Sequence, residues 1–425
     1  MKIKLLFALL CIQIAFSQQR TCGMEQQMQR IMANPILKAQ YLQQQSQFEI
    51  EYQRLLNLEY SRNSQAENTL APQIIIPVAV HFPSITASTS EAEKNCLRSL
   101  AQTQINVINA DYNAANADLS IWTGGVNAIY PNVTVGNLNV QFQIAISNHP
   151  AGTGLSDGQV AVTFGTDFLN GADTDNTWAG YLNFVVRDLG GNTLGYSSLG
   201  GLPSGGYTVV MNTFCFGTDA GCANTGYTPQ APYNLGRTVT HELGHYFNLN
   251  HTFDGCSTTA NCANTGDRVC DTPSSNAATY GCPNPGSVLK CSNTKVLTMN
   301  YMDYTNDPCM YLFTAGQVTR MQAYLNTIKT QFTTTALGKT AFLENSFSIA
   351  PNPNQGSFTI NFKDTVSDYS VEIFDVLGNT IYKNKYDSNA VSEQTVQIPN
   401  ASTGIYFLNL KTNSEETVTK KLIVQ

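Results

Sequence analysis

Residues 240–251 read THELGHYFNLNH and gather three of the chain's five histidines. On a helix, residues four apart share a face, so His241 and His245 can present two imidazoles to one ion. Glu242 stands one position on, close enough to address water at that ion without being a ligand. The third donor is His251, which a continuous helix could not bring back to the same point. The chain must therefore turn sharply near Asn248, a residue type that tolerates the positive φ such a turn needs. Three histidines leave the fourth position of a zinc ion for water, which is the open site of a catalytic rather than a structural metal. Zinc lowers the pKa of such a water from about 15.7 to roughly 7, so Glu242 could take its proton during attack on a carbonyl. The HExxH pattern alone arises by chance in helices, and the third histidine at ligand spacing sets this segment apart. His81 and His149 stand alone and read as core or surface residues.

These side chains need a frame. A helix over residues 235–247 carries the first two histidines. β-type runs precede it: IIIPVAVHF from Ile74, LNVQFQIAI from Leu138, YLNFVVR from Tyr181 and YTVVMN from Tyr207. A long helix is predicted after Ser90, whose side chain with Glu93 makes a capping box, and another after Phe313 with Thr314 as its cap. Strands mixed with helices predict an α/β (α+β) domain over 71–335. Residues 18–70, rich in Gln, Glu and Leu with apolar residues near helical spacing, read as a helical prosegment. After Ala341 the texture turns to short alternating strands such as FTINF, YSVEIFDV and GIYFLNL, an all-β sandwich over 345–425. That last part has no His and no Cys, so no metal chemistry is expected in it.

The first 17 residues, MKIKLLFALLCIQIAFS, put two lysines before a short apolar run and read as a secretory signal. Eleven cysteines, eight of them between Cys215 and Cys309, fit an exported chain in which most are disulfides. A net charge of −7 with no basic run gives no footprint for nucleic acid or an anionic membrane.

The HExxHxxGxxH pattern of the metzincin clan is matched at His241, Glu242, His245 and His251, with Asn248 where the family usually has Gly. A second run, NYMDYTNDPCMYLFTAGQVTRM from Asn300, resembles the Met-turn of the pappalysin family and the helix after it. The chain is therefore similar to bacterial pappalysins over about its middle 260 residues. That resemblance implies a metzincin-like zinc protease, with Met302 beneath the imidazoles and Tyr304 hydrogen-bonding the oxyanion. It implies that LGYSS, from Leu194, is the strand that pairs with extended substrate. It also implies that GDRVCDTP, from Gly266, lines the pocket for the residue after the cut bond. Asp271 at the base of that pocket would favour Arg or Lys; a helix cap or a calcium ligand is an equally good reading of it. The resemblance also implies calcium as a second cation, with Asp254, Asp267 and Asp271 as candidate carboxylates; a solvated loop stapled by Cys256, Cys262 and Cys270 is an equally good reading of that stretch. Cys22 is expected to hold the open zinc position of a zymogen, leaving Cys96 as a buried free thiol; the rival reading is a Cys22–Cys96 disulfide. Activation would then require a cut near Arg62.

The last 80 residues resemble a sorting domain of the type IX secretion system, in APNPNQGSFTI, VEIFDVLGNTI and the terminal KKLIV. The expected partners are protein or peptide substrates and the outer-membrane export machinery, for a monomeric enzyme outside the cell or on its surface, reached via the periplasm. The competing reading is an inactive, zinc-binding surface adhesin of the same fold. It is weakened by Glu242, the base that such a relative would be expected to lose first.

Overall fold

The computed structural model describes residues 20–62, 73–165, 168, 174–337, 347–366, 369–375, 378–386, 391–399, 401–412 and 417–425. The expected signal at 1–17 lies outside them, as do the residues that follow Arg62. In chain order the elements begin with strand β1 (Thr21–Cys22), α1 (Met24–Ala33) and α2 (Pro35–Arg62). The next group is β2 (Ile74–Phe82), α3 (Glu91–Tyr112), α4 (Leu119–Thr123), β3 (Val140–Ile144), β4 (Val162–Phe164), β5 (Leu182–Val186), β6 (Thr193–Ser197) and β7 (Thr208–Met211). Helix α5 (Arg237–Tyr246), a small hairpin of β8 (Leu289–Lys290) and β9 (Thr294–Lys295), and α6 (Ala315–Ile328) complete this part.

One sheet in the order β1-β6-β7-β5-β2-β3, with β4 also beside β2, organises these elements. Strand β2 is buried on both faces over most of its length, as a near-continuous apolar run at the centre of a parallel sheet should be. Its Pro77 is tolerated by register. Ile74 and Val80 donate toward the β3 and β4 side, so by alternation Pro77 turns its missing N–H toward β5, where pairing starts only at Val78. Strand β6 runs antiparallel to β7, and β1 pairs with it in parallel.

Helix α3 starts at the expected Ser90–Glu93 capping box and positions α5. Tyr112 at its end donates to the Thr240 carbonyl at 3.0 Å, while Asp111 pairs with the guanidinium of Arg237 and accepts from the Thr240 hydroxyl at 2.6 Å. Among the described residues four disulfides join Cys96–Cys222, Cys256–Cys291, Cys262–Cys270 and Cys282–Cys309. Cys96 is thus neither a free thiol nor the partner of Cys22: it reaches Cys222, which the sequence offered as one of a dense series. The free thiols among the described residues are Cys22 and the buried Cys215.

The C-terminal strands are β10 (Phe347–Ala350), β11 (Ser357–Val366), β12 (Tyr369–Asp375), β13 (Thr380–Tyr386), β14 (Val391–Gln397), β15 (Gly404–Thr412) and β16 (Thr417–Val424). They form a three-stranded sheet, β10-β11-β14, and a four-stranded one, β13-β12-β15-β16. Alternating residues such as Phe358, Ile360, Val371, Ile373 and Leu408 make a separate core, the packing of a sandwich.

Candidate metal centre

Helix α5 is buried along its whole length. Gly236 precedes it at φ 75°, a left-handed position where a Cβ would also press on Gln104. Its free N–H groups face a carboxylate: Asp307 Oδ2 accepts from Leu235 at 3.0 Å and from Arg237 at 3.2 Å. The helix stops as the spacing required. Asn248, at φ 72°, donates to the His245 carbonyl at 2.8 Å while Leu249 donates to that of Gly244 at 3.0 Å. This pair of bonds is the left-handed Schellman closure, and it returns the chain toward His251.

The three imidazoles converge, with ring centroids 4.5 to 5.3 Å apart. His241 Nδ1 lies 2.7 Å from the Tyr301 carbonyl and His245 Nδ1 lies 2.7 Å from that of Leu249. Donation to these carbonyls leaves each Nε2 with its lone pair turned inward. His251 Nδ1 stands 3.6 Å from Asp254 Oδ1. Burial, then the neighbouring imidazoles, push the pKa of His241 and of His245 well below the ordinary histidine range, toward the neutral, ligating form. Two observations call for a cation. His241 Nε2 is buried with no hydrogen-bond partner, and the ligand atoms of His241, His245, His251 and Cys22 all lie within 4.8 Å of one another. Three imidazoles and a thiol are a zinc-type donor set.

Met302 packs directly under this group. A Cβ on Gly244, between the two helical histidines, would come within 2.5 Å of its sulfur, so the close approach depends on glycine. Tyr304 has its hydroxyl 3.3 Å from His251 Nε2 and accepts from the Cys22 N–H at 3.3 Å. Glu242 Oε2 is 3.2 Å from the Cys22 sulfur. Burial raises the Glu242 carboxyl to about 8, against the opposing pull of the Cys22 contact and of Arg20.

Cys22 arrives on β1, added to the edge of the sheet at β6, with Gly23 donating to the Gly195 carbonyl at 2.9 Å. Gly195 lets that edge lie against the base, since a Cβ there would meet Glu242 at 3.0 Å. Two residues earlier, Arg20 enters a closed pocket. Its guanidinium pairs with Asp307 at 2.8 Å, the two side chains 2% and 0% exposed, donates to the Thr238 hydroxyl at 2.9 Å and lies over the Tyr233 ring.

The remaining candidates do not join the cluster. Asp271 sits at the start of α6, accepting from the Thr314 hydroxyl and the Gly316 N–H, both at 2.7 Å. The acid in the pocket beside Cys22 is Asp307, which the sequence reading passed over together with Arg20. Asp267 is buried, accepts from Val269 at 3.1 Å, and has its second oxygen without a partner. Asp254 is exposed and turns to His251. Among the described residues these three carboxylates do not gather into one group of metal-ligating side chains. His81 is a core residue, 2.8 Å from the Thr163 hydroxyl and 3.2 Å from the Asn183 amide oxygen; His149 lies against the Gln159 carbonyl.

A mixed sheet edged by an antiparallel strand, a helix bearing two histidines and a glutamate, a third histidine after a left-handed turn and a methionine below together define a metallopeptidase fold. The sequence model of the pregnancy-associated plasma protein-A family, peptidase M43, matches residues 172–326, and that of the secretion system C-terminal sorting domain matches 348–425. Mature mirolysin of Tannerella forsythia, in complex with a cleaved peptide, is 30% identical over 63% of this chain and 98% of that one, with a TM-score of 0.48. Its precursor promirolysin, in a mutant form, is 28% identical over 75% of this chain and 98% of that one, with a TM-score of 0.51. An extracellular metalloprotease of Verticillium alfalfae is 28% identical over 61% of this chain and 79% of its own length. The stretches shared with extracellular metalloproteases of Sordaria macrospora and Podospora anserina span only 31% and 45% of those proteins. The chain carries a domain of the pappalysin family of metalloproteases, peptidase M43, over residues 172–326 and a C-terminal sorting domain over 348–425. That domain and the extracellular relatives point to secretion or the cell surface.

Proposed function

We propose that this chain is a zinc metalloendopeptidase, made as a zymogen, that hydrolyses protein substrates outside the cell. The observation that carries the reading is the convergence of three buried imidazoles and one thiol on a single point, with a carboxylate 3.2 Å from that thiol. His241, His245 and His251 would hold the zinc. When bound, zinc supplies a Lewis acid that activates water and polarises a peptide carbonyl.

The chain's own residues do the rest. Glu242, held on a buried helix, accepts the proton of the attacking water and passes it to the leaving amine. Tyr304 donates a hydrogen bond to the oxyanion as the carbonyl carbon becomes tetrahedral. Strand β6 offers its edge to an extended peptide, as it now offers it to β1. Asp307, Thr238 and Tyr233 form a pocket that already accepts a guanidinium, which supports a preference for Arg, and more weakly Lys, beside the cut bond. Asp307 takes over the role first considered for Asp271.

In the precursor, residues 20–62 would act as the prosegment: Cys22 would join the three histidines in holding the zinc, and Arg20 fills the pocket. The likeness to promirolysin over 75% of the chain supports this reading. Residues 1–17 would carry the chain to the periplasm, the sorting domain would hand it to the type IX export machinery, and the enzyme would act as a monomer. The test is casein hydrolysis by the processed enzyme, with and without Glu242→Ala. Loss of turnover in the variant, and reversible loss in the parent on chelation and zinc return, are expected. Equal rates would leave the adhesin reading in place.

A further inference from the structure

The arm that ends at Cys22 is held a second time, far along the chain, by α2 lying across α6. Gln44 donates to the Thr327 hydroxyl at 2.7 Å, and Asn326 donates to Glu51 at 2.8 Å. Gln45 and Asn248 exchange two amide hydrogen bonds, each 3.1 Å. Phe48 and Tyr52 are 2% and 5% exposed, so both rings are fully seated in the main core. The guanidinium of Arg320 stacks over both, 4.7 and 5.5 Å from their centroids, while its Nε donates to the Asn248 carbonyl at 2.9 Å. Gln45, Phe48 and Tyr52 fall at the i, i+3, i+7 spacing of one helix face. None of these contacts involves the metal cluster or the Arg20 pocket, from which α1 separates them.

Asn248 therefore has two uses. Its backbone makes the left-handed turn, for which glycine would serve as well. Its side chain, which glycine lacks, reads the amide of Gln45.

Accepting that residues 20–62 are a prosegment, we infer that α6 and Asn248 form a helix-binding groove independent of the metal, whose occupant is α2. The groove keeps the prosegment on the enzyme after the chain is cut beyond Arg62. Buried aromatic rings under a guanidinium are the features that make a few residues dominate an interface, and the part-buried Gln45–Asn248 amide pair adds a directional contact beside them. Cutting the chain and freeing the site are thus separate events. Between them lies a nicked, non-covalent complex whose lifetime α2 sets.

The experiment uses the full chain with a unique protease site introduced between residues 62 and 73. After nicking, gel filtration and intact mass follow whether the arm stays with the enzyme, and peptide hydrolysis is recorded in parallel. The wild-type arm is expected to co-elute, and a Phe48→Ala/Tyr52→Ala arm to leave at least tenfold faster. Gln45→Ala should give an intermediate rate. Because these substitutions lie only in the arm, the enzyme left behind is the same in every case. Should the double variant fail to fold, a labelled peptide of residues 35–62 titrated onto processed Glu242→Ala enzyme replaces it. Saturable binding that survives chelation is expected. A nicked Cys22→Ala chain separates the two readings: its arm should still co-elute although the thiol at the metal cluster is gone, and loss of co-elution in that chain would place the hold at the thiol instead. Co-elution lost equally fast with and without Phe48 and Tyr52, or peptide binding abolished by chelation, would overturn the inference.

Discussion

Replacing Arg20 by alanine removes a guanidinium from a pocket where it and its partner Asp307 are 2% and 0% exposed. What remains is a carboxylate still accepting two backbone N–H groups, from Leu235 and Arg237, but without its counter-ion. Breaking a buried pair by removing one partner costs roughly 3–5 kcal/mol, much of it the penalty on the orphaned charge. Part of that penalty is escapable, because burial already pushes the Asp307 carboxyl upward and Arg20 is the first force opposing it. Once Arg20 is gone, the acid can take up a proton. The lower end, about 3 kcal/mol, is therefore the working figure, equivalent to roughly 100-fold in the undocked population of the arm at 1.4 kcal/mol per tenfold. The assay is alkylation of Cys22, read by peptide mass in a Glu242→Ala background that cannot process itself. The buried thiol of Cys215, which donates to the Leu194 carbonyl at 3.0 Å, serves as the internal control. Cys22 should label about 100 times faster in the Arg20→Ala chain while Cys215 is unchanged, with Arg20→Lys in between. An unchanged Cys22 rate would refute the claim that this pair holds the arm.

Tyr304→Phe keeps the ring that stands against His251 and Phe253 but removes the hydroxyl. In the processed enzyme kcat should fall by about 10²-fold with KM little changed, and a rise in KM alone would remove Tyr304 from the oxyanion role. Asp267 is raised to about 7 by burial, with one oxygen unpartnered, against about 3.9 unfolded. Between those values the folded chain binds the extra proton, so this group's contribution to stability falls as pH rises from about 4 to 7 and is flat above. Asp267→Asn should therefore raise Tm in calcium-free buffer at pH 8, and the gain should vanish toward pH 4. A gain equal at both pH values would contradict the assignment of that carboxyl.

The histidine cluster was legible because its geometry is local in sequence: two histidines share a helix face, and the third follows a turn whose φ Asn248 can adopt. The same is true of the capping boxes at Ser90 and Thr314, where a side chain answers a backbone group three residues away. What stayed hidden depends on contacts between distant parts of the chain. Arg20 and Asp307 are 287 residues apart, and nothing near either marks it as half of a pair. Asp271 was a pocket acid only by the resemblance of GDRVCDTP to a family loop, with a helix cap equally open, and its contacts with Thr314 and Gly316 at the start of α6 favour the cap. The Cys96–Cys222 bond joins residues 126 apart, a pairing that only the packing of α3 beside the sheet brings about. In the arm, a helix was foreseen, but not the two-residue strand before it, because β1 exists only by pairing with β6.

The central claim is that three imidazoles hold one zinc whose fourth corner the Cys22 thiol closes. Zinc X-ray absorption on the intact precursor and on the processed enzyme tests it directly. The precursor should show three nitrogen neighbours and one sulfur at about 2.3 Å, and processing should replace the sulfur by oxygen while the nitrogens remain. A precursor without sulfur at the zinc, or fewer than three nitrogens in either form, would contradict the account.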